Sequence, residues 1–153
     1  MTAPGEKTGG CHCGAVRFTA RDVPDTASIC HCKMCRRWTG SALVGVSQPE
    51  GNVTWEGEAH IKTLQSTRWA ERAWCQRCGS HLWFRVTLAS AFSGEVEIPL
   101  GLFDEPDGFV VTSEIYIDKK PDAYAFDGAD SRTQMTRAEC VAKFSVLGED
   151  EAE

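Results

Sequence analysis

The sequence predicts a mainly β protein, and three observations support this class. Short runs that alternate apolar and polar residues recur along the chain, as they do in half-buried strands. Glycine, proline or polar turn residues separate these runs. The length of 153 residues is enough for one domain with a core of its own. We therefore expect a single domain over residues 1–153, built from short strands.

Strand patterns occupy most of the chain between its first cysteines and residue 117. They cover residues 15–19, 42–46, 53–55, 61–64, 68–74, 82–86, 95–98 and 113–117. Because Gly57 separates two of the shortest runs, residues 53–55 and 61–64 are expected to form a hairpin.

Two helices are predicted outside these strands. A short helix covers residues 33–38, and a longer one covers about 137–144. Thr136 followed three residues later by Glu139 forms a capping-box pattern at the start of the longer helix. Residues 149–153 are acidic, which is typical of a solvated chain end.

The charge balance narrows the choice of partners. The formal net charge is −6, whereas nucleic acids and anionic membranes attract a basic surface. No apolar run approaches the ~20 residues of a membrane span, and residues 1–10 lack the pattern of a secretory signal. We expect a cytoplasmic protein that binds neither nucleic acid nor membrane, and the oligomeric state stays open.

Seven of the eight cysteines lie in tight groups, and only Cys140 stands alone as a small buried hydrophobe. Cytosolic thiols stay reduced, and such close spacing suits metal chelation better than disulfide formation. Cys11 and Cys13 form one pair, and Cys75 and Cys78 form a second pair that Gly79 follows. The two pairs together predict a closed zinc site with four thiolate ligands. The alternative is that the pairs are redox-active or merely buried.

The remaining cluster, Cys30, Cys32 and Cys35, has one thiol fewer than a closed site requires. Three protein ligands leave a fourth zinc position for water or substrate, as catalytic zinc sites do. We therefore regard these three cysteines as candidate catalytic residues. The alternative is a second structural site that a histidine closes. The candidates are His12, His31 and His81.

Basic residues lie within and beside this second cluster. Lys33, Arg36 and Arg37 would favour the thiolate forms of the neighbouring cysteines. The same cations could bind the carboxylates of an anionic thiol ligand, since arginine suits paired hydrogen bonds. We predict that these three residues contribute to ligand binding.

Four segments resemble motifs of the glutathione-dependent formaldehyde-activating enzyme family, which includes the centromere protein V domain. They are residues 9–18 (GGCHCGAVRF), 30–41 (CHCKMCRRWTGS), 72–80 (RAWCQRCGS) and 114–121 (EIYIDKKP). The resemblance covers about residues 9–127, and all seven clustered cysteines fall on motif positions.

The resemblance implies a β-tent fold of packed antiparallel sheets with two zinc sites. Cys11, Cys13, Cys75 and Cys78 would hold the closed zinc, and Cys30, Cys32 and Cys35 the labile catalytic one. The family activity joins formaldehyde to glutathione to give S-hydroxymethylglutathione, and the reverse reaction is that of a carbon–sulfur lyase. A small thiol such as glutathione is therefore the expected substrate.

Two other functions stay open at this point. One is a non-catalytic interaction module of the centromere protein V type, and the other is a zinc buffer or redox sensor. The sequence identifies no general base, although His31 and Glu71 are candidates by position.

Overall fold

The computed structural model describes residues 5–145, in which eleven strands and two α-helices follow one another. The strands are β1 Lys7–Gly10, β2 Arg17–Ala20, β3 Thr26–Cys30, β4 Leu43–Pro49, β5 Val53–Glu56, β6 Ile61–Gln65, β7 Ala70–Cys75, β8 His81–Val86, β9 Glu95–Pro99, β10 Val110–Ile115 and β11 Thr133–Met135. The helices are α1 Lys33–Thr39 and α2 Arg137–Lys143. No helix within residues 5–145 is long and apolar enough to cross a membrane.

The strands form two sheets. The smaller sheet has the order β1-β2-β5, and the larger has the order β11-β10-β3-β4-β9-β8-β7-β6. Strand β10 runs parallel to both β3 and β11, whereas the other pairings are antiparallel. The predicted mainly β class with packed sheets and short helices is confirmed, and the parallel strand is an addition to it.

The two faces of the larger sheet have different environments because side chains alternate along each strand. Val46 and Ile98 point toward the smaller sheet and pack against its Phe18. This core also contains Phe103 and Val96, all of them buried. The opposite face of the larger sheet carries the second cysteine cluster, so the core and the candidate site are separate layers.

The predicted hairpin between residues 53–55 and 61–64 is wrong. Strand β5 pairs with β2 in the smaller sheet, and β6 pairs with β7 in the larger one. Gly57 has φ +81°, and a Cβ there would lie 1.9 Å from the Ala15 carbonyl oxygen. The glycine therefore marks a crossing between the sheets rather than a turn that pairs its flanking strands.

Both predicted helices are present. Helix α1 ends at Thr39 and is capped by Gly40, whose φ of 79° is the left-handed conformation common after helix ends. Helix α2 begins with the predicted capping box, in which Thr136 and Glu139 exchange hydrogen bonds. Cys140 on α2 is fully buried, as expected, while the acidic segment 149–153 lies outside the described residues.

Candidate metal centres and cavity

The first cysteine cluster joins the two sheets. Cys11 and Cys13 follow β1 of the smaller sheet, whereas Cys75 ends β7 of the larger sheet and Cys78 lies in the turn to β8. The Cys11 and Cys13 sulfurs are 3.6 Å apart, and those of Cys13 and Cys75 are 3.8 Å apart. Four Zn–S bonds of about 2.3 Å in a tetrahedron place the sulfurs about 3.8 Å apart. The four thiols therefore fit a closed tetrahedral metal site.

Backbone and hydroxyl groups around this cluster stabilise thiolates. The Val16 N–H donates to Cys11 Sγ at 3.3 Å. Burial raises the pKa of Cys78, but hydrogen bonds from the Ser80 hydroxyl and N–H lower it, and the net pKa is about 5. Gly79 adopts φ 79°, which places the turn that presents these donors. The donor set is thus chemically suited to a metal that binds thiolates.

The second cluster is held by β3 and the start of α1. Cys30 ends β3, Cys32 is the N-cap of α1, and Cys35 lies in the first helical turn. The Cys35 N–H donates to Cys32 Sγ at 3.3 Å. The three sulfurs lie within 4.8 Å of one another and all three residues are buried. Within the described chain, no fourth His, Cys, Asp or Glu completes this group.

None of the three candidate histidines joins the second cluster. His12 is exposed, and the His81 ring packs on Trp38 with centroids 4.9 Å apart. The His31 Nε2–H donates to Glu114 Oε1 at 2.6 Å, so the ring contacts a carboxylate rather than a ligand position. Three thiols therefore fit a metal whose fourth position is left to another molecule.

Arg72 supplies the positive charge beside this cluster. Its Nη2 donates to Cys35 Sγ at 3.6 Å, and its guanidinium packs between the rings of Trp38 and Phe84. Hydrogen bonds from Cys30 and Cys32, with the charge of Arg72, hold the Cys35 pKa well below its usual value despite burial. The sequence did not identify Arg72 as a site residue. Arg72 lies on a strand, three positions before Cys75, and no local sequence pattern shows that this position contacts Cys35.

The second cluster opens into a cavity of about 360 Å³. Most of its walls are apolar, as in typical small-molecule sites. The apolar lining residues are Met34, Leu43, Trp69, Phe84, Val86, Phe92, Ile115, Met135 and Phe144. The polar and charged residues that line it include Ser28, Arg72, Arg85, Glu97 and Lys143.

Strand register explains why these polar residues share the cavity. Ser28 of β3 pairs with Gly45 of β4, and Phe84 of β8 pairs both with Arg72 of β7 and with Glu97 of β9. Paired residues point to the same face of a sheet. Glu97 pairs with Ser47, two residues beyond Gly45 on β4, so the cavity floor consists of two adjacent rows on one face that together cross five strands.

Two buried donors in the cavity wall have no hydrogen-bond partner among residues 5–145. They are Arg72 Nη1 and Trp69 Nε1, and both residues are at most 3% exposed. A buried N–H group without an acceptor is costly, and it marks a place for a ligand oxygen or a water. The wall beside the second cluster is therefore suited to an oxygen-bearing ligand.

The predicted ligand-binding cations lie elsewhere. Lys33 and Arg37 are exposed on α1, and Arg36 Nε donates to the His31 carbonyl at 2.9 Å. None of the three lines the cavity, and their role in ligand binding stays a prediction. Glu71, a candidate base by position, accepts hydrogen bonds from Arg85 and Trp83 instead.

The fold and the site define a small, mainly β class of protein with two cysteine sets that could hold metal ions. Comparison with known proteins agrees. Residues 6–119 match the family described as glutathione-dependent formaldehyde-activating enzyme, and the chain belongs to that family.

Two relatives extend this result. An uncharacterized lyase of Schizosaccharomyces pombe is 31% identical over 121 residues, which cover 79% of this chain and 85% of that protein. A Halomonas elongata protein named for the glutathione-dependent formaldehyde-activating enzyme is 34% identical over 83 residues, which cover 49% and 53% of the two chains.

A solved structure shows the same fold. The crystal structure of a Rhodobacter sphaeroides protein superposes with a TM-score of 0.54 at 17% identity. The match covers 84% of this chain and 99% of that one. At this identity the similarity concerns the fold alone.

Proposed function

We propose that the protein is a zinc-dependent carbon–sulfur lyase that joins a small thiol to formaldehyde and catalyses the reverse cleavage. The observation that carries the proposal is the second cluster, in which three buried thiols face a cavity and no fourth ligand comes from the described part of the chain. Family membership and the names of the two relatives support the same chemistry.

Zinc is the proposed metal at both clusters. Cys11, Cys13, Cys75 and Cys78 would hold the structural ion, and Cys30, Cys32 and Cys35 would hold the catalytic one. When bound there, zinc would favour the thiolate form of a substrate sulfur and polarise an aldehyde oxygen. All eight cysteines are free thiols in the structure, which suits a reducing cytoplasm.

Arg72 and Trp69 would stabilise the reacting oxygen. Thiol addition turns an aldehyde carbonyl oxygen into an oxyanion, and donors preorganised around that position lower the barrier. Arg72 Nη1 is a free donor on the guanidinium whose Nη2 already contacts Cys35 Sγ. The oxygen would thus accept hydrogen bonds within reach of the second cluster.

Glutathione is the proposed thiol. The cavity presents the cation Lys143, which can bind a carboxylate of a peptide thiol. Arg85 also lines the cavity, but its guanidinium is already paired with Glu50 and Glu71. The apolar walls around Trp69 and Phe92 would exclude water from the reacting sulfur. The proposal therefore assigns different parts of the cavity to the sulfur, the oxygen and a carboxylate.

Exchange NMR of glutathione with formaldehyde tests the proposal. The zinc-loaded protein is expected to accelerate adduct formation, and Cys32→Ala is expected to lose that acceleration together with about one zinc per chain. Cys140→Ala is the matched control, because Cys140 is equally buried but belongs to neither cluster.

The outcomes separate chemistry from folding. Retained acceleration in Cys140→Ala with loss in Cys32→Ala supports the proposal, provided that both variants keep the same circular dichroism spectrum. Equal turnover and zinc content in Cys32→Ala and wild type would exclude the second cluster as the catalytic centre.

A further inference from the structure

Two carboxylates line the cavity, Glu95 and Glu97, and neither the cysteine motifs nor the sequence-based candidates include them. Glu95 accepts a hydrogen bond from the Ser47 hydroxyl at 3.0 Å, whereas Glu97 has a different environment. It lies on β9, between Phe84 on β8 and Ser47 on β4. Its side chain lines the same cavity as Cys30, Cys32 and Cys35. The residue is therefore placed where substrate would bind.

The carboxylate of Glu97 has an unusual set of partners for a glutamate inside a protein. Its one hydrogen bond among residues 5–145 comes from the Ser28 hydroxyl, at 3.4 Å from Oε1. None of the ion pairs in that part of the chain includes Glu97. By contrast, buried Glu114 contacts both His31 and Arg132. Glu97 therefore has no ion-pair partner among residues 5–145, although the charge of Arg72 favours its ionised form.

Gly45 makes room for this carboxylate. A Cβ at position 45 would lie 2.5 Å from Glu97 Oε1, so an alanine would displace the carboxyl group. Gly45 pairs with Ser28, which precedes Cys30 by two residues on β3. Two residues along a strand span about 6.6 Å. The carboxyl group therefore lies close enough to the second cluster for one small molecule to contact both.

The environment favours proton exchange near neutral pH. Burial, followed by the charge of Cys35, raises the pKa of Glu97 to about 7, although the hydrogen bond from Ser28 and the charge of Arg72 oppose this. A group whose pKa lies near the working pH can both accept and release a proton efficiently. The environment of Glu97 thus supports a role in proton transfer.

We propose that Glu97 is the general base and acid of the site, carrying the thiol proton to the oxygen of the adduct. The inference rests on the proposed function, because it assigns a proton carrier to that reaction. It also supplies the general base that sequence reasoning could not identify.

The proton and electron balance is complete without a further reactant. The Glu97 carboxylate accepts the proton of the thiol S–H, and a sulfur lone pair forms the bond to the aldehyde carbon. The C=O π pair moves onto oxygen, where Arg72 donates a hydrogen bond. Protonated Glu97 then gives its proton to that oxygen, which leaves a neutral hydroxymethyl thioether. The reverse sequence is the lyase reaction.

The first test compares rates in zinc-loaded wild type, Glu97→Gln and Glu95→Gln by exchange NMR with glutathione and formaldehyde. Glu97→Gln is expected to lose about 100-fold of the protein-dependent rate, a typical general acid–base contribution. Glu95→Gln is the matched control and is expected to keep the wild-type rate, because Glu95 is also a half-buried β9 carboxylate that lines the cavity but is hydrogen-bonded to Ser47 rather than Ser28. Zinc content and thermal unfolding are measured for each protein.

The second test counts protons and does not depend on turnover. Glutathione binding is measured calorimetrically at pH 8 in two buffers of different ionisation enthalpy. Free Glu97 is mostly ionised at pH 8, and the negative charge of a bound thiolate is expected to raise its pKa further, as the charge of Cys35 does, so the wild type retains the thiol proton on Glu97. Glu97→Gln has no group to retain it and is expected to release up to about one more proton to the buffer per thiol bound.

A second variant guards against a folding artefact. Gly45→Ala keeps the carboxylate but displaces it, and it is expected to lose rate while zinc content stays at the wild-type level. Suppose that wild type accelerates the reaction and that Glu97→Gln gives the same rate and the same number of released protons as wild type. The inference about Glu97 is then overturned, and the proposed function survives. If wild type gives no acceleration, the proposed function fails, and an equal proton count then overturns the role of Glu97 as well.

Discussion

At the scale of single residues, the second cluster is supported by a buried charge network. Glu114 accepts hydrogen bonds from His31, from Arg132 Nε at 2.8 Å and from Gln134 Nε2 at 3.0 Å. The Arg132 guanidinium also donates to the backbone carbonyls of residues 126 and 127. The network holds the side chain of His31, which lies between Cys30 and Cys32 in the sequence. The network therefore positions these two cysteines without touching substrate.

Glu114→Gln is expected to destabilise the protein by about 3 kcal/mol, because it leaves the buried Arg132 without a counter-charge. Urea unfolding measures this change. Asp104→Asn is the control, since the ion pair of Asp104 with Arg17 is exposed and such pairs contribute less than about 1 kcal/mol. Equal effects of the two substitutions would show that the buried network does not matter for stability.

The stability difference between wild type and Glu114→Gln should depend on pH. Burial opposes the charged form of Glu114, but its hydrogen bonds with His31, Gln134 and Arg132 outweigh this and lower its pKa below 4.5. A lowered carboxyl pKa stabilises the folded state above the unfolded pKa, and this contribution is lost as the pH falls through the folded pKa. The difference in the free energy of unfolding between wild type and Glu114→Gln should be large at pH 7 and smaller at pH 3. A difference that grows on acidification would contradict the assignment.

At the scale of elements, β1 shows how closely the chain is packed around the first cluster. Gly9 lies against Phe18 and the turn at residues 100–102, and a Cβ there would be 2.3 Å from the Leu102 carbonyl oxygen. The strand pattern of β1 is hidden in the sequence, because two of its four residues are glycines. Strand β11 has only three residues, which is too short for a periodic pattern.

Gly9→Ala is therefore expected to destabilise the protein by about 2 kcal/mol through overpacking against backbone that cannot move aside. Gly101→Ala is the matched control, because a Cβ at position 101 meets nothing within 4 Å. Thermal unfolding of both variants provides the comparison. A Gly9→Ala variant as stable as Gly101→Ala would mean that β1 can shift away from the turn.

At the scale of the whole molecule, the first cluster connects the smaller sheet to the larger one. Cys13 and Cys75 are 62 positions apart, and their sulfurs lie 3.8 Å from each other. A metal bound by both pairs would close this long loop, whereas the second cluster spans only residues 30–35. The two centres should therefore contribute differently to stability and to activity.

Cys78→Ser is expected to lower the free energy of unfolding by about 4 kcal/mol, the value that the cross-link entropy model gives for a loop of this length. Cys35→Ser is expected to have a smaller effect on stability, because its cluster closes only a short loop. Zinc content by mass spectrometry and urea unfolding test both variants together. Equal destabilisation would indicate that the two centres are equally structural.

The sequence by itself determined the cysteine sets, the mainly β class and the capped C-terminal helix. Cysteine spacings of one or two residues limit which thiols share a metal, and the capping box between Thr136 and Glu139 depends on four consecutive residues. Such features are local, so they can be recognised without knowledge of how distant segments meet. The family motifs rest on the same short segments.

The tertiary structure alone decided what faces the second cluster. Ser28, Gly45, Glu97, Phe84 and Arg72 meet on one floor because strands far apart in the chain pair in a particular register. A shift of one residue would turn each of these side chains to the opposite face of the sheet. Strand register is set by long-range packing rather than by local pattern, so the cavity and its carboxylate could not be predicted from the sequence.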